Sequence, residues 1–245
     1  MTGLLRLGMV LSLLGGMVGA ANAADGLPLK PFVAHYKVFG MGMSLGEGAI
    51  TLSDEGNGRY RMRSEVHPTG VTAFLIKDRI REDAVGEFQG DVPRPSEYSY
   101  EQNGGKKKRN THLRFDWQTG QVHARYNDKQ ATFALEPRTV DPLSLYLLAM
   151  RDLQQQRASS QYTLINRLKL KTYQIDRQPN ESVDTPLGRL QAVRVTRQSA
   201  DDSRATTLWF APALDYLPVQ VVQTEDGDES FRMVLESVEG IKLNR

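Results

Sequence analysis

From Phe32 onward the chain is cut into short runs of alternating apolar and polar residues, and the cuts fall at Gly, Asn, Asp and Pro. That punctuation is the pattern of antiparallel strands joined by hairpins. The runs are Phe32 to Phe39, Gly46 to Ser53, Tyr60 to Val66, Arg79 to Phe88, Glu97 to Gln102 and Lys107 to Phe115. They continue through Val122 to Tyr126, Gln130 to Leu135, Leu168 to Arg177, Leu190 to Gln198, Ala205 to Phe210, Val219 to Thr224 and Ser230 to Val238. About 12 strands are too many for a flat open sheet, so the expected fold is mainly β, a curled antiparallel sheet in the form of a half-barrel, barrel or β-spiral.

One hairpin can be read in register. The residues Asp116, Trp117, Gln118, Thr119 and Gly120 suit a type I turn closed by a glycine bulge. Pairing Phe115 with Val122 and Leu113 with Ala124 puts the apolar side chains on one face and His112, Arg114, His123 and Arg125 on the other. A slip of one residue would mix the faces, so the pattern itself selects this register. Further hairpins are expected at Asp54 to Gly58, at Asn103 to Gly105, at Thr185 to Gly188 and at Glu225 to Asp228.

A helix interrupts the strands near residues 141–156. Asp141 suits an N-cap and Pro142 the first helical position, where no amide bond is lost. Leu143 to Met150 is apolar on nearly all sides and must be covered. The tail Arg151 to Arg157 is polar and is expected to reach water. This predicts a helix inserted into the concave side of the sheet. A second apolar patch, Val71 to Ile76, is expected to form a shorter helix or a loop at the same opening.

The N-terminus has its own signature. Arg6 is the single charge before the apolar stretch Leu7 to Val18, and Ala21, Asn22 and Ala23 follow in the Ala-x-Ala pattern that a signal peptidase cuts. The expectation is a signal peptide over residues 1–23, cleaved after Ala23, and a single β-rich domain over 24–245. With no cysteine the chain has neither disulfides nor a lipid-modified cysteine. Such a leader fits a bacterial periplasm, with secretion as the alternative. No later run approaches the roughly 18 to 20 apolar residues of a membrane span. Charge is nearly balanced, 31 Lys and Arg against 29 Asp and Glu, which argues against a nucleic-acid partner.

No catalytic constellation stands out. His35, His67, His112 and His123 have no ligand spacing, and the arginines beside the last two disfavour a cation, so neither a metal nor a cofactor is implied. The chain lacks a Gly-x-Ser-x-Gly elbow and a cysteine nucleophile. The carboxylate pairs Glu82 with Asp83 and Glu181 with Asp184 are expected to be exposed, with nothing to raise a pKa. Lys106, Lys107, Lys108 and Arg109 have two readings: contacts to phosphate groups of anionic lipid or lipopolysaccharide, or protection of an edge strand. Trp209 and Phe210, with Tyr216, either line a ligand cavity or fill a core.

Several of these residues carry a family resemblance. Thr185, Pro186, Leu187 and Gly188, then Leu208 to Pro212 and Leu217 to Val219, resemble the C-terminal signature of the bacterial domain-of-unknown-function family 3108. The Asp141 to Ser144 helix start, the Tyr36 strand and Gly46 are similar to that family too. The resemblance implies a cell-envelope protein with a curled antiparallel sheet, and no catalytic residues, since the family has no assigned activity. The expected function is a non-enzymatic binding or scaffold protein whose concave surface takes a lipid, a lipidated peptide or a partner segment. Candidate binding residues are Leu145, Tyr146, Leu148, Trp209, Phe210 and the Lys106 to Arg109 run. The alternatives are an envelope-integrity protein acting through protein contacts alone, and a hydrolase whose site is assembled from distant residues.

Overall fold

Alternation decides the first strand: Phe32, Ala34, Tyr36 and Val38 are buried, while His35 and Lys37 between them face water. The same period of two recurs along the chain, because each strand has one face toward a common interior. The structure, a computed structural model, describes residues 26–40, 42–70, 72–75, 77–105, 108–158, 161–198 and 203–244. The signal segment with Ala23, and Lys106 and Lys107, lie outside the described residues.

The first half of the chain forms β1 (Phe32–Gly40), β2 (Met43–Asp54), β3 (Arg59–Pro68), β4 (Arg79–Gln89) and β5 (Val92–Asn103). It continues with β6 (Arg109–Asp116), β7 (Gln121–Tyr126) and β8 (Lys129–Ala134), and one helical turn, α1 (Thr72–Leu75), lies between β3 and β4. Helix α2 (Ser144–Gln154) then leads to β9 (Gln161–Asn166), β10 (Lys169–Thr185) and β11 (Gly188–Gln198). The last strands are β12 (Arg204–Ala211), β13 (Leu217–Glu225) and β14 (Asp228–Glu239), with a 3-10 turn at Pro212–Leu214.

All 14 strands join one antiparallel sheet in the order β8-β7-β6-β5-β4-β3-β2-β1-β14-β13-β12-β11-β10-β9. The chain therefore winds outward from the middle of the sheet to one edge, crosses through α2, and winds back from the other edge until β14 pairs with β1. Curling brings the two edges toward each other. The connection after β8 fills the seam, where Val140 forms a parallel bridge to Leu164 and the Ile165 amide donates to the Val140 carbonyl at 3.0 Å. Nearer the opening, the Arg167 guanidinium lies 5.2 Å from the centre of the Tyr126 ring.

The β6–β7 hairpin has the register expected from its sequence, Leu113 opposite Ala124 and Phe115 opposite Val122. At the β13–β14 turn both central residues are left-handed, Asp226 at φ 54° and Gly227 at φ 90°, a geometry that matches the twist of its strands. The structure departs from expectation in strand number. Strand β9 was not legible as one, and β10 runs to Thr185 because Pro179 sits at a register shift between Gln178 and Asn180, where its missing N–H costs no ladder bond.

Helix α2 is shorter than residues 141–156, and its start is capped as its sequence suggests. Asp141 Oδ1 accepts the amides of Leu143 and Ser144 at 2.8 and 2.9 Å, and Oδ2 accepts the Ser144 hydroxyl at 2.5 Å. Leu147, Leu148 and Met150 are fully enclosed. The tail reaches water only at its end, where Gln155 and Gln156 are exposed; Arg151 and Asp152 are buried, because the helix ends among strands and loops that supply opposite charges. Arg151 and Arg157 both bind Asp91, from the turn between β4 and β5. Asp152 binds Arg138 from the seam and accepts the Tyr162 hydroxyl at 3.0 Å. The apolar patch Val71 to Ile76 contributes only the single turn α1, with Phe74 exposed; Val71 and Ile76 are outside the described residues. No helix among the described residues is long and apolar enough to cross a membrane.

Candidate functional site: an end-open cavity

Helix α2 fills one end of the curled sheet and leaves the other open. Above its N-terminal turn lies a cavity of about 1200 Å³, with Pro142, Leu143 and Tyr146 as its floor. Ligand pockets for small molecules span roughly 300–1,000 Å³, so there is room for an extended chain. At the mouth are the β7–β8 turn with Asn127 and Asp128 and the β9–β10 turn with Arg167 and Leu168.

Strand alternation sets the character of each wall. On one side Ile50, Val66, Ile80, Val221, Phe231 and Met233 present apolar side chains, with Ser64, Gln223, Thr224 and Ser230 among them. Across from it Arg167, Lys169, Lys171, Arg197 and Arg204 contribute cations, with Glu225 paired to Arg204. Tyrosines line the wall between: Tyr98 and Tyr100 on β5, Tyr126 on β7 and Tyr173 on β10. The arrangement suits a ligand with both an apolar and a polar part.

Two carboxyl groups sit near the floor in unusual states. Glu82 is on the inner face of β4 with Ile80 and Ala84, and burial pushes its carboxyl up to about 7 against the stabilising Tyr98 hydroxyl, which donates to it at 2.5 Å. This overturns the expectation of an exposed Glu82. Its neighbour Asp83 does face outward, bound to Arg61 and Arg63 at 2.7 Å each. Asp141 is likewise pushed up to about 6 by burial, offset by its bonds to Ser144 and the backbone. Ser144 Oγ in turn lies 2.8 Å from the Tyr60 hydroxyl, which burial raises well above its ordinary range. Burial also moves the Tyr146 hydroxyl up to about 12.

The structure brings together only part of the residues singled out in the sequence. Tyr146 lines the cavity and also a small crevice of about 30 Å³ between α2 and strands β10 to β12, room for little more than a water molecule. Leu145 and Phe210 line that crevice, whereas Leu148 is wholly inside the packing. Trp209 is not a cavity residue: it points outward, where its indole N–H donates to Glu181. Lys108 is exposed and Arg109 donates to Gln102 at 3.2 Å. Edge protection does not apply to Arg109, since β6 is paired on both sides and the edges of the sheet are β8 and β9. His112 and His123 share the outer face, and among the described residues there is no cluster able to hold a metal ion. Sequence reasoning placed Glu82 on the outer face and missed Tyr98, Tyr100, Tyr173 and Arg197. The signal was present in the alternation, which puts Glu82 in phase with Ile80 and Arg197 in phase with Val193 and Val195.

Fold and cavity together define a β-barrel-like protein, open along one seam and plugged by a single helix. The profile of the DUF3108 family, proteins of unknown function, matches residues 32–236, and the chain belongs to that family. No curated protein matches it. Among solved structures it is similar to a beta-barrel-like protein of domain of unknown function DUF1849 from Brucella abortus, with a TM-score of 0.59 and 12% identity over 87% of this chain and 99% of the other. That likeness shows a shared fold. It also aligns with a proposed lipoprotein from Parabacteroides distasonis at a TM-score of 0.38, 11% identity and 86% and 96% coverage. A third alignment, to MucB in complex with MucA(peri), has a TM-score of 0.17, 11% identity and 88% and 94% coverage.

Proposed function

We propose that the chain is a non-enzymatic binding protein of the bacterial cell envelope that shelters a lipid or an apolar peptide segment inside its curled sheet. The observation that carries this reading is the cavity of about 1200 Å³, which the helix leaves unfilled. An end-open cavity of this size leaves apolar wall against water, surface that a bound hydrocarbon would cover. Its apolar wall removes hydrocarbon from water at about 25 cal/mol per Å², while the cations opposite receive a polar end. The leader-like N-terminal segment supports a periplasmic address.

The test is native mass spectrometry of the protein purified from envelope fractions without denaturation. The expected result is a defined mass increment that organic extraction removes and that is identified as lipid or peptide. A homogeneous apo mass, together with no binding of added lipid, refutes the carrier reading.

A further inference from the structure

Arg197 is a cation on the inner face that forms no ion pair among the described residues. It follows Val193 and Val195 along β11, paired with Ile175 on one side and Thr206 on the other, and it lines both the cavity and the crevice beside α2. Its guanidinium stacks over the Tyr173 ring at 5.2 Å. Nη1 is shielded from solvent and has no hydrogen-bond partner. Among the described residues no carboxylate forms an ion pair with it: Glu82 feels its charge across the cavity but is bonded instead to the Tyr98 hydroxyl. The contrast with Arg138, Arg151 and Arg157 is direct, since each of those is held by Asp152 or Asp91.

A shielded guanidinium donor without an acceptor carries a desolvation cost that a ligand anion would relieve. We propose that Arg197 binds the monoanionic head, a carboxylate or a phosphodiester, of a single-chain amphiphile that enters head-first. Its chain then lies along the Ile50, Val66, Ile80, Val221 and Met233 wall toward the mouth. One guanidinium matches one negative charge and offers two parallel N–H groups to two oxygens, which a lysine in its place would not. Tyr173 stacks against the guanidinium, and Tyr146 lines the same crevice. This assignment rests on reading the cavity as a lipid site, and the experiment separates the two.

The test measures binding of palmitate, lysophosphatidylglycerol and the neutral monopalmitin to the delipidated full chain, by calorimetry, for the wild type and Arg197→Met. The wild type is expected to bind at least one anionic probe about 10-fold or more tightly than monopalmitin, as a charge-assisted hydrogen bond implies. Arg197→Met should abolish that preference and leave monopalmitin binding unchanged; the probe that shows the preference identifies the head group. Equal binding of all three by the wild type overturns the Arg197 assignment and leaves the cavity reading standing. A preference that survives in folded Arg197→Met overturns it as well. Binding of none of the three refutes the cavity reading, and the assignment falls with it. Should Arg197→Met not fold, Arg197→Gln carries the same comparison with a planar, uncharged side chain.

Discussion

At the end of the barrel where α2 stops, the buried charges Arg151 and Asp152 are bound by partners brought from β4–β5 and from the seam. At the end where α2 begins, Arg197 has an aromatic ring and, among the described residues, no ion-paired carboxylate, and burial raises the Glu82 carboxyl to about 7. Both ends are built from the same meandering sheet, so fold alone does not explain the difference. It lies in what fills the space between the walls: leucines and charges paired with opposite charges at one end, and at the other an open volume beside a guanidinium that no described carboxylate pairs. Charge buried with partners is neutral or modest in its effect on stability, whereas charge left without partners marks a place where stability has been given up for binding.

The largest way to break this contrast is at the packed end. Leu148→Asp puts an unpaired carboxylate where the side chain is completely enclosed, at a cost of several kcal/mol, and should abolish a cooperative thermal transition followed by circular dichroism. A variant that melts like the wild type would mean the helix is not a plug. Next in size is Asp152→Asn, which leaves Arg138 and Arg157 facing a neutral side chain and should lower stability by about 3 kcal/mol in urea titrations.

The open end should respond with the opposite sign. Glu82 has a carboxyl raised to about 7, so its contribution to stability is fully present below the unfolded value and is lost as pH rises through the folded one. Asp141, raised to about 6, acts in the same direction. Glu82→Gln retains an acceptor for the Tyr98 hydroxyl and cannot ionise, so it should stabilise the protein by about 1–2 kcal/mol at about pH 8 and by little at about pH 4. Thermal melts of the two proteins across that range make the comparison. A gain that is independent of pH would show that Glu82 is not held protonated.

Local pattern carried more of the fold than of the site. The β6–β7 register was readable because a single slip exposes Leu113 and Val122, and the helix start because Asp141 and Pro142 satisfy a local requirement. The β9 strand and the far half of β10 were less legible: the first loses its alternation at Leu164 and Ile165, both buried, and the second is polar and interrupted by Pro179. Burial of Arg151 and Asp152 could not be read locally, since their partners Asp91 and Arg138 are distant in sequence. Glu82 and Arg197 are a different case. Their phase along the strand points inward although both side chains are charged.

The pairing of β1 with β14 has a consequence for timing. A ribosome delivers β1 first among the strands of this sheet and β14 last, yet the two are neighbours at its centre. Until β14 emerges, β1 has β2 on one side and a bare row of amides and carbonyls on the other, an edge open to foreign strands. Joining two segments so far apart along the chain carries a high loop-closure cost and slows folding. The sheet therefore closes at its middle only once its final strand is available, and until then the β1 edge is exposed to aggregation.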